Sequence, residues 1–328
     1  MNALRQRWPP GPPRGLRPPD IIAHTQTLAA QEPMPEVQRI NQRKSQPMQV
    51  LADTTAAAIY PPGEVRAKAL TVEQVRAITR PAAQAWLRRL ITEAPIEVAV
   101  VGDVDRDTAT RLAAKYLGAL PARPRISDKT LADLRAIRRS QGPISIAESV
   151  EVLTPQAGVL AGFFGANLRD VRDTRLLNVA SRVLTTRMTK SIREERQLVY
   201  SIGASSEPAV VYPGFGLFVA MAPTDPGKAP ALATAIEEMF ADFAKDGPTP
   251  DELVVAKKQM ANFLDETLKT PNFWLSRLST LDYRALGLDD LLDAPAQYQR
   301  FTAQEIQEAF ARYGRPDARF RFIITPRP

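Results

Sequence analysis

Short apolar runs alternate with long amphipathic segments between residues 157 and 264, and this order constrains the fold more than any other feature of the sequence. The runs from Ala157 to Phe164 and from Gly214 to Ala222 have the length and composition of strands and are bounded by turn residues. The segments after them carry apolar residues at helical spacing: Leu176, Val179, Ala180, Val183 and Leu184, then Leu232, Ile236, Met239, Phe240 and Phe243. Long helices between separated strands predict an α+β fold, with helices packed on one face of an antiparallel sheet.

Capping signals predict further elements near the end of the chain. Thr249 and Glu252 have the spacing of a capping box, which predicts that a helix begins there. Thr302 and Glu305 repeat this pattern, and the apolar run from Phe320 to Ile324 predicts a final strand.

A similar domain ending occurs earlier in the chain. Thr71 is a predicted N-cap, the run from Ile96 to Val101 is a predicted strand, and a helix is predicted from Asp105 to Leu117, closed by Gly118. The chain is therefore expected to hold two copies of one domain ending. A whole domain fits between the two endings, whereas the first copy is expected to lack its front.

These patterns divide the chain into four predicted parts. Residues 1–62 have six prolines in the first twenty positions and few large apolar residues, so they are expected to be a basic, poorly ordered arm. Residues 63–125 are the predicted remnant of one domain, residues 126–139 a linker, and residues 140–328 a complete domain.

The chain has no cysteine and one histidine, His24. This composition excludes disulfides, thiolate nucleophiles and any metal site within this chain that needs two histidines. A Ser/His/Asp triad could use only His24. Because His24 lies in the predicted arm, it is expected to be an ordinary residue without a metal role.

The formal charge of +7 raises the possibility of nucleic-acid binding. Four arginines, Arg5, Arg7, Arg14 and Arg17, precede the first acid, but the segment that holds them contains no aromatic-basic stacking motif, so no nucleic-acid partner is expected. No run of about 18 apolar residues predicts a membrane span, and the first residues lack the apolar core of a signal peptide. The chain as written is expected to be cytoplasmic, or periplasmic if its true N-terminus is missing.

The run Arg193-Glu194-Glu195-Arg196-Gln197-Leu198-Val199-Tyr200-Ser201 resembles the helix-to-strand junction of the C-terminal domain of M16 (pitrilysin, insulinase-like) zinc metallopeptidases. The segments Val98 to Asp105 and Tyr116 to Pro121 are similar to the close of an M16 domain. Asp246 to Leu253 and Thr270 to Trp274 resemble later parts of the C-terminal domain. The resemblance covers residues 63–326 and is greatest to two-half, PqqL-like members. It implies an M16-type (LuxS/MPP-like) domain preceded by the tail of a second one.

The resemblance also implies a role in peptide hydrolysis. In this family an H-x-x-E-H motif and a downstream glutamate supply the zinc ligands and the base, and nothing of the kind exists here, so zinc is expected only in a missing catalytic half or partner chain. Arg193 and Tyr200 match the residues that contact the substrate backbone and its developing oxyanion, and Arg196 is the neighbouring candidate. Gln197 stands where many members have glycine.

Two alternatives remain open at this point. Arg193 could pair with acids on a solvated helix face while Tyr200 merely opens a strand. The chain could also be an M16-like binding or assembly subunit without catalysis. In the catalytic reading, an extended peptide substrate is held by strand addition to a sheet edge, between this chain and a partner half that bears H-x-x-E-H.

Overall fold

A five-stranded sheet forms the centre of the larger of two compact units. The computed structural model describes residues 34–123, 128–151, 154–284 and 286–327. Neighbouring strands are antiparallel except for one parallel pair, Ile144–Val150 with Arg319–Pro326. The order across the sheet is β1-β5-β2-β4-β3, with β1 at Ile144–Val150, β2 at Ala157–Gly165, β3 at Gly203–Glu207, β4 at Gly216–Thr224 and β5 at Arg319–Pro326.

Helices account for most of the remaining described residues, so the predicted α+β fold is confirmed. In chain order they are α1 (Met34–Arg43), α2 (Pro47–Ile59), α3 (Val72–Ala77), α4 (Arg80–Glu93), α5 (Arg106–Leu117), α6 (Asp128–Arg135), α7 (Val171–Met188), α8 (Ala229–Asp246), α9 (Pro250–Leu268), α10 (Pro271–Leu278), α11 (Leu281–Arg284), α12 (Leu288–Leu292), α13 (Ala294–Arg300) and α14 (Ala303–Tyr313).

The main core lies between the sheet and helices α7, α8 and α14. Phe163 of β2 stacks on Phe218 of β4 at 5.0 Å between ring centroids, and both rings meet Phe310 of α14 edge to face. Phe243 of α8 contacts Phe310 at 4.8 Å from the other side. This cluster of rings packs α8 and α14 against one face of the sheet, the face to which the side chains of the odd-numbered residues of β2 point.

Helix α2 covers part of the opposite face, which the sequence patterns did not predict. Gly158 of β2 lies in close contact with Leu51 and Met48 of this helix, and a Cβ atom at Gly158 would lie 3.2 Å from either side chain. Even-numbered residues of a strand point away from odd-numbered ones. Strand β2 is therefore buried along its whole length on both faces.

Residues 47–59, which fall within the predicted arm, form helix α2. Leu51 and Ile59 are buried in the core, together with Thr55, because a spacing of four residues places the three side chains on one face of α2. The hydroxyl and amide of Ser140 donate to the carbonyl oxygens of Tyr60 and Ile59, both at 2.9 Å. His24 and the four N-terminal arginines lie outside the described residues.

The smaller unit comprises residues 34–40, 70–96 and 102–123 of the described chain. The predicted N-cap at Thr71 is confirmed, because its side chain accepts a hydrogen bond from the backbone at the start of α3. The predicted second helix is formed as α5, and the side chain of Asp105 caps its start in the same way. The predicted linker contains α6. Whether residues 63–125 are the remnant of a second domain of the same type stays a prediction.

The predicted strand from Ile96 to Val101 is not formed. A strand needs a hydrogen-bonded neighbour, and no strand of the described chain pairs with these residues. Ile96, Val98 and Val100 are each about half exposed. The apolar run therefore has strand composition without the partner that would make it a strand.

Candidate functional site

Helix α7 does not end at Met188 but continues into a π-helical turn, Thr189–Glu195. The amide of Arg196 donates to the carbonyl oxygen of Ser191 at 3.0 Å, and the amide of Leu198 donates to that of Ile192 at 3.0 Å. The side chain of Ile192 is fully buried in the core, which anchors the turn. π-Helical turns are rare and are found frequently at functional sites.

Gln197 follows this turn in a left-handed backbone conformation, with φ of +51°. This conformation suits glycine, because an L side chain there crowds the neighbouring carbonyl oxygen. The backbone is held on both sides of the bend. Lys228 Nζ donates to the carbonyl oxygen of Gln197 at 3.1 Å, and the Thr224 hydroxyl donates to that of Leu198 at 2.6 Å. The bend is thus a defined part of the fold, and it directs the chain towards β3.

Arg193 and Tyr200, two of the three predicted site residues, lie next to each other. The guanidinium carbon of Arg193 is 5.7 Å from the centroid of the Tyr200 ring. Both side chains are exposed, and Tyr200 is 88% exposed. Arg193 forms no ion pair with any residue of the described ranges. The buried turn therefore presents a free guanidinium and a phenol side by side at the surface.

Arg196, the third predicted residue, contacts helix α8. Its Nη1 atom lies 3.4 Å from Oε2 of Glu238, and both side chains are about half exposed. An exposed pair of this length contributes little to stability. Arg196 is close to Arg193 and Tyr200 in sequence, but it differs from them in having an acidic partner.

A stronger ion pair fixes the start of this region. The Nε and Nη2 atoms of Arg187 donate to the two carboxylate oxygens of Glu252, both at 2.7 Å, and Nη2 also donates to the carbonyl oxygen of Gly247 at 2.8 Å. The hydrogen bonds from Arg187 lower the pKa of Glu252 below its ordinary value. Glu252 also completes the predicted capping box with Thr249. The C-terminal end of α7 is thereby attached to the N-terminal end of α9.

The edge of strand β3 is partly occupied by a side chain that the sequence patterns did not single out. The Thr185 hydroxyl accepts a hydrogen bond from the amide of Ala204 at 3.0 Å and donates to its carbonyl oxygen at 3.3 Å. The main-chain groups of Ala204 that a further strand would use are therefore taken. No local sequence signal identifies Thr185, because the contact joins residues of different elements.

Two features bear on metal and membrane chemistry. Within the described ranges, no group of three or more His, Asp or Glu side chains is arranged to hold a metal ion. No helix in that part of the chain combines the length and apolar character that crossing a membrane requires.

Comparison with known proteins agrees with this architecture. A family model described as the peptidase M16 inactive domain matches residues 77–260, more than half of the chain. An uncharacterized zinc protease of Mycobacterium leprae is 27% identical over 256 residues, which cover 75% of this chain and 55% of that protein. The chain thus spans about half the length of this curated relative.

Solved structures show the same fold. The peptidase M16 inactive domain from Pseudomonas fluorescens superposes with a TM-score of 0.75 at 20% identity, covering 95% of this chain and 72% of that one. The periplasmic protease PqqL from Escherichia coli gives a TM-score of 0.67 at 19% identity, covering 94% of this chain and 33% of that one. These superpositions and the family match, which covers more than half of the chain, indicate the same fold family. The chain belongs to the peptidase M16 family, within its inactive-domain group.

Proposed function

We propose that this chain is the substrate-binding C-terminal portion of an M16 zinc metalloendopeptidase that acts on peptides, with Arg193 and Tyr200 contacting the substrate backbone. The observation that carries the proposal is the adjacent, exposed pair of Arg193 and Tyr200 on an anchored π-helical turn. The zinc ligands are proposed to come from a partner half that bears H-x-x-E-H, because the sequence has one histidine and no cysteine and the described residues hold no group of acidic side chains arranged for a metal ion.

The chemistry of the pair suits this role. A guanidinium offers five fixed donors, several of which can reach carbonyl oxygens of an extended peptide at once. A tyrosine hydroxyl can donate to the oxyanion that develops when a peptide carbonyl is attacked, and this interaction is strong only where water is excluded. Because Tyr200 is 88% exposed in the isolated chain, another surface must cover it. That surface is proposed to be the partner half.

The substrate is proposed to run as an extended segment near strand β3, which begins three residues after Tyr200. Main-chain pairing at Ala204 is blocked by Thr185. Strand addition along all of β3 is therefore not part of the proposal, and side chains carry more of the binding.

The alternative is an M16-like binding or assembly subunit without catalysis. It is favoured by the description of the matching family domain as inactive. Both functions predict association with a partner chain. They differ in whether Arg193 and Tyr200 contribute to turnover.

The test is hydrolysis of a quenched fluorescent peptide mixture by the chain alone and by the chain co-purified with an H-x-x-E-H protein of the same genome, each with and without a chelator. We expect chelator-sensitive cleavage only in the second case. Tyr200→Phe is expected to reduce kcat by roughly 10²-fold, the effect of losing one oxyanion donor. Arg193→Ala is expected to raise KM, because it removes contacts to the bound backbone.

Two matched variants serve as controls. Arg300→Ala removes an exposed guanidinium at the end of α13, and Tyr116→Phe removes a hydroxyl in the smaller unit. Both are expected to leave turnover within about twofold. Zinc-dependent cleavage by the chain alone would contradict the proposal. An active complex indifferent to changes at Arg193 and Tyr200 would favour the assembly subunit.

A further inference from the structure

A long groove in the larger unit lies between helix α7, strand β3 and helix α9. Its volume is about 810 Å³, within the usual range for ligand-binding clefts. Most of its surface is apolar and includes Phe263 and Leu264 of α9 and Phe273 of α10. Phe263 is half exposed, although it follows the buried Met260 on the same helix. The groove therefore leaves large apolar side chains uncovered.

Three arginines line this apolar groove without an acidic partner. The guanidinium of Arg182 lies 5.3 Å from the centroid of the Phe263 ring, and that of Arg277 lies 5.5 Å from the centroid of Phe273. Arg284 is half-buried, and its Nε atom is buried without a hydrogen-bond partner. None of the three forms an ion pair with a residue that the structure describes. A buried donor without a partner is costly unless a ligand satisfies it.

The other charged residues of the groove do not neutralise these arginines. Arg175 has a structural role, because it is buried and donates hydrogen bonds to the side chain of Gln297 and to the carbonyl oxygen of Asp290. The carboxylate of Asp290 accepts a hydrogen bond from a backbone amide at the start of α12. Glu207 lies on β3 and accepts from a neighbouring serine hydroxyl. Among the residues that the structure describes, the groove thus keeps three arginines without an acidic partner, and two of them, Arg182 and Arg277, lie beside aromatic rings.

The backbone of β3 offers few groups to a ligand in this groove. The amide and carbonyl of Ala204 are bonded to Thr185, and alternate residues of a strand direct these groups to the same side. Ser206 is the next residue that faces this way, and Pro208 after it has no amide hydrogen to donate. Recognition must therefore depend mainly on side chains. Guanidinium groups resting on aromatic rings are suited to carboxylates that lie beside apolar side chains.

We propose that this groove binds an extended peptide segment with acidic side chains next to large apolar ones, and that Arg182, Arg277 and Arg284 receive its carboxylates. Charge complementarity selects the acidic segment, and the exposed rings select its apolar residues.

A link to peptide cleavage rests on the proposed function. Arg193 lies eleven positions after Arg182 along α7 and its π-helical continuation, a separation of roughly 16 Å at the rise of a helix. An extended peptide spans this distance with about five residues. The acidic determinant of a substrate is therefore expected about five residues from the bond that is cleaved.

The test is equilibrium binding of eight-residue peptides to the full chain, measured by fluorescence anisotropy with an uncharged dye. One peptide alternates glutamate with phenylalanine and leucine, and its counterpart has glutamine in place of glutamate. We expect the acidic peptide to bind at least tenfold more tightly, with a difference that shrinks as salt rises. Arg182→Gln and Arg277→Gln are each expected to weaken acidic-peptide binding about fivefold and to leave glutamine-peptide binding unchanged.

The control variant is Arg300→Gln, which removes an exposed arginine outside the groove. It is expected to leave both affinities unchanged, and thermal melting verifies that each variant is folded. Equal binding of the two peptides would overturn the proposal. An equal loss in the Arg300 variant would also overturn it, because binding would then reflect only the net charge of the chain. The binding assay measures no turnover, so equal binding of the two peptides would leave the proposed role of Tyr200 untouched. Likewise, a complex that fails to hydrolyse peptides would leave the measured peptide affinities of the groove untouched.

Discussion

The ion pair between Arg187 and Glu252 provides the most direct test of how the fold holds the candidate site in place. It joins the end of α7, just before the π-helical turn, to the start of α9 through two hydrogen bonds of 2.7 Å. The informative changes are Arg187→Met, which keeps the length of the side chain, and Glu252→Gln, which keeps its shape.

The expected effect follows from burial. Exposed ion pairs contribute about 0.2–1 kcal/mol, whereas breaking a buried pair costs about 3–5 kcal/mol. The side chains of Arg187 and Glu252 are 23% and 27% exposed, which places the pair between these limits. Arg187→Met also removes the hydrogen bond to Gly247 and the contact with the Phe243 ring at 5.1 Å, so we expect a loss of about 2 kcal/mol. Glu252→Gln keeps an acceptor for the capping box and is expected to cost about 1 kcal/mol.

The contribution of the pair depends on pH in a defined direction. Hydrogen bonding from Arg187 lowers the pKa of Glu252 in the folded state. The stabilisation is therefore fully present above the unfolded-state pKa, about 4.3, and is lost as the pH falls through the lower folded-state value. The difference in stability between the native chain and the Glu252→Gln variant should be constant between about pH 6 and 8 and should shrink below about pH 4.

The assay is thermal unfolding followed by circular dichroism. A loss of about 2 kcal/mol corresponds to a fall in Tm of roughly 4–8 °C for a unit of about 200 residues. The double variant should lose less than the sum of the single variants, because both remove the same interaction. A shift below 1 °C for Arg187→Met, or a larger loss for Glu252→Gln than for Arg187→Met, would refute this reasoning.

Two further predictions concern the core and the bend before β3. Phe310→Ala should lower the free energy of unfolding by about 3–5 kcal/mol in urea titrations, because its fully buried ring touches four other phenylalanine rings; a loss under 1 kcal/mol would contradict the packing described here. Gln197→Gly should raise stability by about 0.5–1 kcal/mol, because relief of the left-handed conformation outweighs the added freedom of the unfolded chain. Gln197→Val should lower Tm, and a stabilising valine would contradict the backbone assignment.

Arg193 and Tyr200 were named as candidate site residues from a resemblance and not from any local pattern. Their seven-residue spacing is compatible with many geometries. It becomes a side-by-side arrangement because a π-helical turn and a left-handed residue at Gln197 bend the chain between them. Glutamine gives no local signal for that bend, whereas glycine would have.

The sequence by itself determined the elements whose causes are local. Capping boxes at Thr249 and Thr302 begin helices because they satisfy backbone amides within one turn, and the apolar run of β2 has the length and bounding turn residues of a buried strand. Tertiary structure alone decided what depends on distant partners. The run from Ile96 to Val101 has strand composition but no neighbour with which to pair, and α2 is ordered because Leu51 packs on the sheet. The groove lined by Arg182, Arg277 and Arg284 likewise exists only because separate helices and an edge strand meet. No short stretch of sequence contains all of these elements.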